Sequence, residues 1–216
     1  MLKSIKTSVL ALILVGTAVI AHAQKKITEG TLIYGVKYKI SAPGAPEEQK
    51  VKFNGDISKL ELNFGPAAIG VFLDSKSGTG LTLVDIPVAQ KQLAAKMSKA
   101  DMEESKAARP QYSDFKATGE KKSVAGYNAE KYTFKDSKGG VGEFWVTNDL
   151  DVPINIATTD FKDIKGFVVL IDTPEATITL KSITEGKVGE LSVTKIPAGY
   201  DEITYADLKA MQGGGE

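Results

Sequence analysis

The stretch TLIYGVKYKI, residues 31–40, decides the fold class of this chain. Every second residue is apolar or aromatic, and most of the residues between them are small or charged. Alternation with a period of two is typical of a β-strand that buries one face and exposes the other. We therefore predict a half-buried strand whose inward face carries Leu32, Tyr34, Val36, Tyr38 and Ile40.

Similar patterns return along most of the chain. Gly78 and Gly80 separate two alternating segments, and such a short connection favours a hairpin. Residues 167–171 are apolar at every position, which is typical of a strand covered on both faces. We predict about nine or ten antiparallel strands in all. Besides the first, they cover residues 60–64, 69–73, 81–85, 112–119, 124–134, 141–147, 167–171, 177–185 and 191–196.

One segment has a different composition. Residues 88–108 are rich in Ala, Lys, Gln, Glu and Met, lack Gly and Pro, and stop shortly before Pro110. They predict one long helix, with Leu93, Met97 and Ala100 on a shared face. Shorter helices are predicted at residues 160–165 and after Thr204, which begins a capping-box pattern. The fold class is therefore α+β.

The apolar phase changes within the predicted strand at residues 124–134. Odd-numbered positions are apolar first and even-numbered positions later, namely Ala125, Tyr127 and Ala129 and then Tyr132 and Phe134. A change of phase within one strand predicts a bulge or bend, here near residues 130–131.

The N-terminus has the pattern of a secretory signal peptide. Lys3 and Lys6 precede an apolar run at residues 9–20, which ends in the small-residue triplet at residues 21–23. The run is shorter than the ~20 residues of a membrane-spanning helix. We expect signal peptidase to cleave before Gln24, and no cysteine follows that could carry a lipid. The predicted organisation is a signal peptide at 1–23, a single domain at 24–212 and a disordered tail at 213–216.

Composition excludes several kinds of function. The chain has 27 basic and 27 acidic residues, and the signal peptide contains two of the basic ones, so the mature chain has a net charge of −2. Such a balance gives no basic excess for nucleic acid. There is no cysteine, the one histidine is His22 in the signal peptide, and Arg109 is the one arginine. Catalysis through histidine or thiol and zinc, haem or iron–sulfur sites of the usual kind are therefore excluded. We expect no catalysis, no metal and no cofactor.

Trp145 is the one tryptophan of the chain. In an extended strand it faces away from Phe144 and Val146. Two interpretations stay open, because a large amphipathic ring can pack under a loop or line a binding pocket.

Several segments resemble a known family. The segments are Glu29–Tyr34, Gly119–Tyr132 with its Ala-Gly-Tyr sequence, Glu143–Thr147 and Pro197–Tyr200. They are similar to an uncharacterised family of exported bacterial proteins whose fold is like that of LolA, LolB and LppX, the carriers and sorting proteins for outer-membrane lipoproteins and lipids. The resemblance implies an incomplete antiparallel β-barrel, a curved sheet whose concave face is covered by helices and encloses an apolar cavity.

Two functions are carried forward from the sequence. The first is an exported, periplasmic or secreted, non-catalytic protein that binds an apolar ligand such as a lipid or an acyl chain, as a monomer without a transmembrane segment or nucleic-acid partner. The second is a structural or interaction module of the envelope, with a packed barrel and a protein partner. For the first, the expected ligand-binding residues are Leu32, Tyr34, Val36, Tyr38, Met97 and Trp145.

The signal peptide gives the first testable prediction. When the chain is produced with export, its mature form should begin at Gln24, because signal peptidase accepts the preceding Ala-His-Ala triplet. Peptide mapping of the exported N-terminus measures this directly. A membrane-bound product that retains the Lys3 peptide would contradict the prediction.

Overall fold

A computed structural model describes residues 24–213, so the predicted signal peptide lies outside the described residues. Within them the chain is mostly β-strand, with two α-helices and two short 3-10 turns. The strands are β1 (Lys25–Lys26), β2 (Glu29–Tyr38), β3 (Glu48–Asn54), β4 (Ile57–Phe64), β5 (Ala67–Asp74), β6 (Thr79–Ile86), β7 (Lys91–Met97), β8 (Tyr112–Val124), β9 (Tyr127–Asp136), β10 (Val141–Thr147), β11 (Leu150–Asp151), β12 (Phe167–Asp172), β13 (Ala176–Glu185) and β14 (Asp201–Ile203). The helices are α1 (Lys99–Ala107) and α2 (Tyr205–Gly213), and the 3-10 turns are Pro87–Ala89 and Thr159–Phe161.

Twelve strands form one open sheet in the order β14-β7-β6-β5-β4-β3-β2-β13-β12-β10-β9-β8. Strands β2 to β7 form one antiparallel meander and β8 to β10 another, and β12 and β13 join the two. Only the short edge strand β14 runs parallel to its neighbour in this sheet. The described residues therefore contain more strands than the nine or ten that the sequence predicts. Twelve of them form this mixed sheet with edges at β14 and β8, and β1 and β11 pair as a separate two-stranded parallel sheet.

The first predicted strand is confirmed as β2, but its predicted end is wrong: β2 stops at Tyr38, and Ile40 lies beyond it and is exposed. Leu32, Tyr34 and Val36 are buried, while the residues between them are half-buried. The strand lies between β3 and β13, near the middle of the sheet. The hairpin of β5 and β6 around Gly78 is also confirmed, and so is the strand at residues 167–171, whose first three residues are all buried.

One face of the sheet can be followed from strand to strand through the ladder pairs. Residues directly opposite each other in an antiparallel pair point to the same side. From β2 to β7 the series is Leu32, Val51, Leu60, Val71, Thr82 and Ala95. In the other direction Tyr34 pairs with Leu180, and a second series runs through Val36, Ile178, Ile171, Phe144 and Tyr132. We call this side of the sheet the Tyr34 face.

The opposite face of β5 to β7 is covered by residues 187–200. Phe72, Leu81 and Ala94 form a cluster there with Val193. Residues 191–196 are irregular, so the predicted strand at these positions is wrong. Their alternation arises because apolar side chains lie down on the sheet surface, while the Ser192 hydroxyl accepts hydrogen bonds from the backbone and turns the chain.

The long helix predicted for residues 88–108 is confirmed only over Lys99–Ala107, and its first half is wrong. Residues 91–97 form β7, and the helix begins only after Ser98, whose hydroxyl accepts a hydrogen bond from the backbone N–H of Asp101 in a capping box. Leu93, Ala95 and Met97 alternate as a strand requires. The helix propensity of alanine and lysine is a weak preference, and pairing with β6 along the whole strand overrides it here.

The bulge predicted near residues 130–131 is absent from the β9–β10 ladder, which is regular from Val141 to Thr147. The change of phase arises because both faces of β9 are covered, each at a different end. Tyr127 and Ala129 pack in one cluster, whereas Tyr132 and Phe134 pack in another. In the β8–β9 ladder a register shift does lie opposite residues 130–132, but the extra residues belong to β8, between Ala117 and Lys121. Other shifts lie near the start of β8, between β10 and β12 and between β13 and β2.

An aromatic cluster stabilises the second meander. Phe144 is fully buried and packs against other rings, with centroid distances of 4.6 Å to Phe161, 5.2 Å to Tyr132 and 5.5 Å to Phe115. Replacing Phe144 with Ala should lower the free energy of unfolding by about 3–5 kcal/mol, because it leaves a cavity among these rings. Val141→Ala in the same strand, where the side chain is exposed, is the matched control. Urea denaturation measures both, and equal small losses would contradict the prediction.

Candidate functional site

A cavity of about 370 Å³ lies between the Tyr34 face and the segments that cover it. Its floor belongs to the sheet and includes Tyr34, Leu60, Val71, Leu73, Met97 and Ile178. Its cover is α1 with the segment that follows β11, and includes Met102, Ile156, Ala157 and Phe161. The volume lies in the range of about 300–1,000 Å³ that is typical of small-molecule sites.

Two of the six residues expected at the site line this cavity, Tyr34 and Met97. Leu32 and Val36 are buried on the same strand face but do not line it. Tyr38 is half-buried near the end of β2, where its hydroxyl donates a hydrogen bond of 3.1 Å to the Pro46 carbonyl.

Trp145 lies outside the cavity. It is fully buried on the side of β10 opposite Phe144, in the hydrophobic cluster that also contains Leu32 and Tyr34. The indole N–H donates a 3.3 Å hydrogen bond to Glu143, and the Lys122 ammonium lies 3.8 Å from the ring centroid. These contacts hold the ring between the sheet and charged side chains.

Sequence reasoning missed most of the cavity wall. Leu60 belongs to a segment predicted as a strand, and Val71 and Leu73 to another, so the alternation could have assigned their face. No local pattern brings residues 156–161 to the same place, because they are irregular or 3-10 and reach the cavity through tertiary packing.

Met97 and Met102 both line the cavity, and Gly80 makes room for Met102. A Cβ atom on Gly80 would lie 2.9 Å from the sulfur of Met102 and 2.8 Å from the Phe72 carbonyl oxygen, so the missing side chain lets α1 approach β6 closely. The hydroxyl of Thr82 donates to the Met97 sulfur at 3.4 Å. Methionine is a flexible, polarisable side chain that adapts to different shapes of neighbour.

Tyr34 brings a polar atom into this apolar wall. Its side chain is buried, and no group among the described residues is a hydrogen-bond partner of its hydroxyl. Burial raises the pKa of the hydroxyl well above its usual value, because the phenolate would be poorly solvated. The hydroxyl is therefore a neutral donor at physiological pH.

Charged residues stand at one margin of the cavity. Asp160 lies 3.3 Å from the Lys106 ammonium and 3.8 Å from an Arg109 nitrogen. Tyr112 also lines this margin. Burial raises the pKa of its hydroxyl, and the negative charges of Asp160 and Glu175 add to the effect. The side chain of Arg109 is more than half exposed, so this margin faces solvent.

The described residues contain no cluster of three or more His, Cys, Asp or Glu side chains that could hold a metal ion. Neither helix of the described part is long and apolar enough to cross a membrane.

Comparisons with known proteins show a family and a fold. The family model described as "Domain of unknown function (DUF4412)" matches residues 35–154, more than half of the chain. Among solved structures the chain is similar to one described as "Structure of PNGF-II in P21 space group", with a TM-score of 0.53 and 17% identity. That match covers 85% of this chain but 33% of the other, so the likeness concerns the fold of about a third of that structure. A search of curated proteins gives no match.

Tyr34 and Tyr38 give a matched pair of predictions. Tyr34→Phe should raise the free energy of unfolding by about 1 kcal/mol, because it removes a buried hydroxyl without a partner. Tyr38→Phe should lower it by about 1 kcal/mol, because it removes the hydrogen bond to Pro46. Urea denaturation at neutral pH measures both. A loss of stability in Tyr34→Phe or a gain in Tyr38→Phe would contradict the structure.

The same Tyr34 variant should change the response to alkaline pH. The pKa of Tyr34 in the folded protein lies above the unfolded value of about 10. Above pH 10 the unfolded chain therefore loses a proton that the folded protein keeps, and the free energy of unfolding of the wild type falls as the pH rises. The advantage of Tyr34→Phe over the wild type should therefore widen above pH 10, by about 1.4 kcal/mol per pH unit. A difference in the free energy of unfolding between Tyr34→Phe and the wild type that stays constant from pH 7 to pH 11 would contradict this.

Proposed function

We propose that this chain, which belongs to the DUF4412 family, is an exported non-catalytic protein that binds an apolar ligand such as a lipid or acyl chain in the cell envelope. The observation that carries the proposal is the cavity between the Tyr34 face and α1. The two methionines and the aliphatic wall suit a flexible hydrocarbon, because they bury apolar surface without demanding one shape.

The arrangement of the sheet supports a finer proposal about the fold. The sheet is open, and the Tyr34 face continues from β7 to β12 with α1 across part of it. We propose that it is an incomplete barrel whose concave side is the Tyr34 face, as in the LolA-like carriers that the sequence resembles. The likeness to a solved structure concerns the fold and does not extend this to lipoprotein transport.

Helix α1 is suited to cover a site that a ligand must enter. None of the residues Lys99–Ala107, all within the described range, is fully buried, and the helix is mostly charged. Its links to the rest of the chain include ion pairs of Glu104 with Lys209 and of Lys106 with Asp160. Partly exposed ion pairs contribute little to stability, so displacing α1 costs less than opening the sheet.

The second function considered, an interaction module with a packed interior, requires that the Tyr34 face be filled by the chain's own side chains. The cavity beneath α1 leaves part of that face unfilled, and its volume and mostly apolar lining favour a ligand site. Ligand binding is therefore the function we test.

Filling the cavity is the test. We expect the wild-type domain, residues 24–216, to bind the neutral fluorescent reporter phenylnaphthylamine, and Val71→Phe to weaken binding at least about tenfold by occupying the cavity. Val141→Phe, the same change at an exposed strand position, should bind like the wild type. Thermal melts of all three proteins check folding.

Two results would overturn the proposal. One is a folded wild-type protein that binds no reporter, which would favour the interaction module. The other is a folded Val71→Phe variant that binds as tightly as Val141→Phe, because the reporter would then occupy another surface. Mass spectrometry of solvent extracts from protein purified out of a bacterial envelope should in addition give a stoichiometric lipid.

A further inference from the structure

The hydroxyl of Tyr34 is an unusual feature for a site that would bind only hydrocarbon. The residue lies in the middle of the sheet, is almost fully buried and has no hydrogen-bond partner among the described residues. A buried donor without a partner costs about 1–3 kcal/mol. Phenylalanine would fill the same space without that cost, so the hydroxyl points to a partner that arrives with the ligand.

A second polar group stands beside it. Gln49 is directly opposite Tyr34 in the β2–β3 ladder, and both side chains line the cavity. Opposed residues in a ladder have Cβ atoms about 5 Å apart. A phenol and an amide therefore form a local polar position within an otherwise apolar floor.

The charges of the cavity restrict the kind of polar group that fits there. Among the lining residues of the described chain, only Arg109 and Asp160 are charged, and both stand at the margin, where Asp160 pairs with Lys106 as well as with Arg109. An ionised carboxylate or phosphate beside Tyr34 would be buried without a counter-charge, which is costly. A neutral acceptor avoids this cost, and the tyrosine hydroxyl is a suitable donor for it.

We propose that the cavity selects apolar ligands that carry a neutral hydrogen-bond acceptor, an acyl ester or amide carbonyl, and that the hydroxyl of Tyr34 donates to this carbonyl. The proposal rests on the proposed function and assigns the chemical class of its ligand. Gln49 supports the same position, and the apolar wall around Leu60 and Leu73 receives the chain attached to the carbonyl.

Three matched competitors test this. Methyl dodecanoate carries an ester, pentadecane has the same number of heavy atoms without one, and dodecanoate carries an ionised carboxylate. Displacement of phenylnaphthylamine by each competitor is measured with the wild type, with Tyr34→Phe and with Tyr38→Phe. The last is the control, because the hydroxyl that it removes donates to the Pro46 carbonyl. Thermal melts verify that the variants fold.

The ester should bind the wild type about tenfold more tightly than the hydrocarbon or the carboxylate. Tyr34→Phe should weaken ester binding about tenfold and leave pentadecane unchanged, because the hydrocarbon never used the hydroxyl. Tyr38→Phe should change neither.

Equal affinity of ester and hydrocarbon for the wild type, or an equal loss of both in Tyr34→Phe, would overturn the inference while leaving the carrier function intact. Dodecanoate binding as tightly as the ester would overturn the selection for a neutral group. Failure of the reporter and of every competitor to bind the wild type would instead remove the proposed function itself.

Discussion

The antiparallel pairing of β2 with β13 is the interaction on which the rest of the structure depends. It joins the meander of β2 to β7 to the strands that begin at β8, although the paired residues Tyr38 and Ala176 are far apart in the chain. A bulge inserts Lys181, so Leu180 and Ile183 both stay on the Tyr34 face despite their opposite parity. Gly35 accommodates the stem of Lys181, because a Cβ atom there would collide with it.

That junction also sets the position of the cavity. Tyr34 is contributed by β2, Met97 by the first meander and Ile178 by β13, so the floor exists only where the meanders meet. Residues 156–161 follow the second meander and α1 follows the first, and they reach the same place from opposite ends of the sheet. A wall made from such distant segments is positioned by the whole sheet, and it borders the buried clusters around Phe53 and Phe144, to which Tyr34 and Phe161 respectively belong.

Composition and alternation made much of the fold predictable. The strand at β2, the hairpin at Gly78 and the doubly covered strand β12 have local patterns strong enough to be recognised without partners. The helix prediction is wrong for the first half of residues 88–108. Alanine and lysine favour a helix locally, but pairing with β6 holds residues 91–97 extended. The strand prediction for residues 191–196 is wrong because alternation indicates only that one side of a segment is buried. It does not indicate that the segment forms hydrogen bonds with a neighbouring strand.

The candidate site, like the fold, could be predicted only in part from the sequence. The sequence by itself determined that the chain is rich in strands, that Tyr34 shares an inward face with Leu32 and Val36, and that no histidine or cysteine is available outside residues 1–23. These properties depend on residue type and on a period of two along one strand. Only the tertiary structure decided that Tyr34 and Met97 line a cavity, that Trp145 is buried outside it, and that the Tyr34 hydroxyl has no partner among the described residues. The physical reason is that space and hydrogen-bond partners come from segments distant in the chain, and their register is fixed by the ladders and bulges of the assembled sheet.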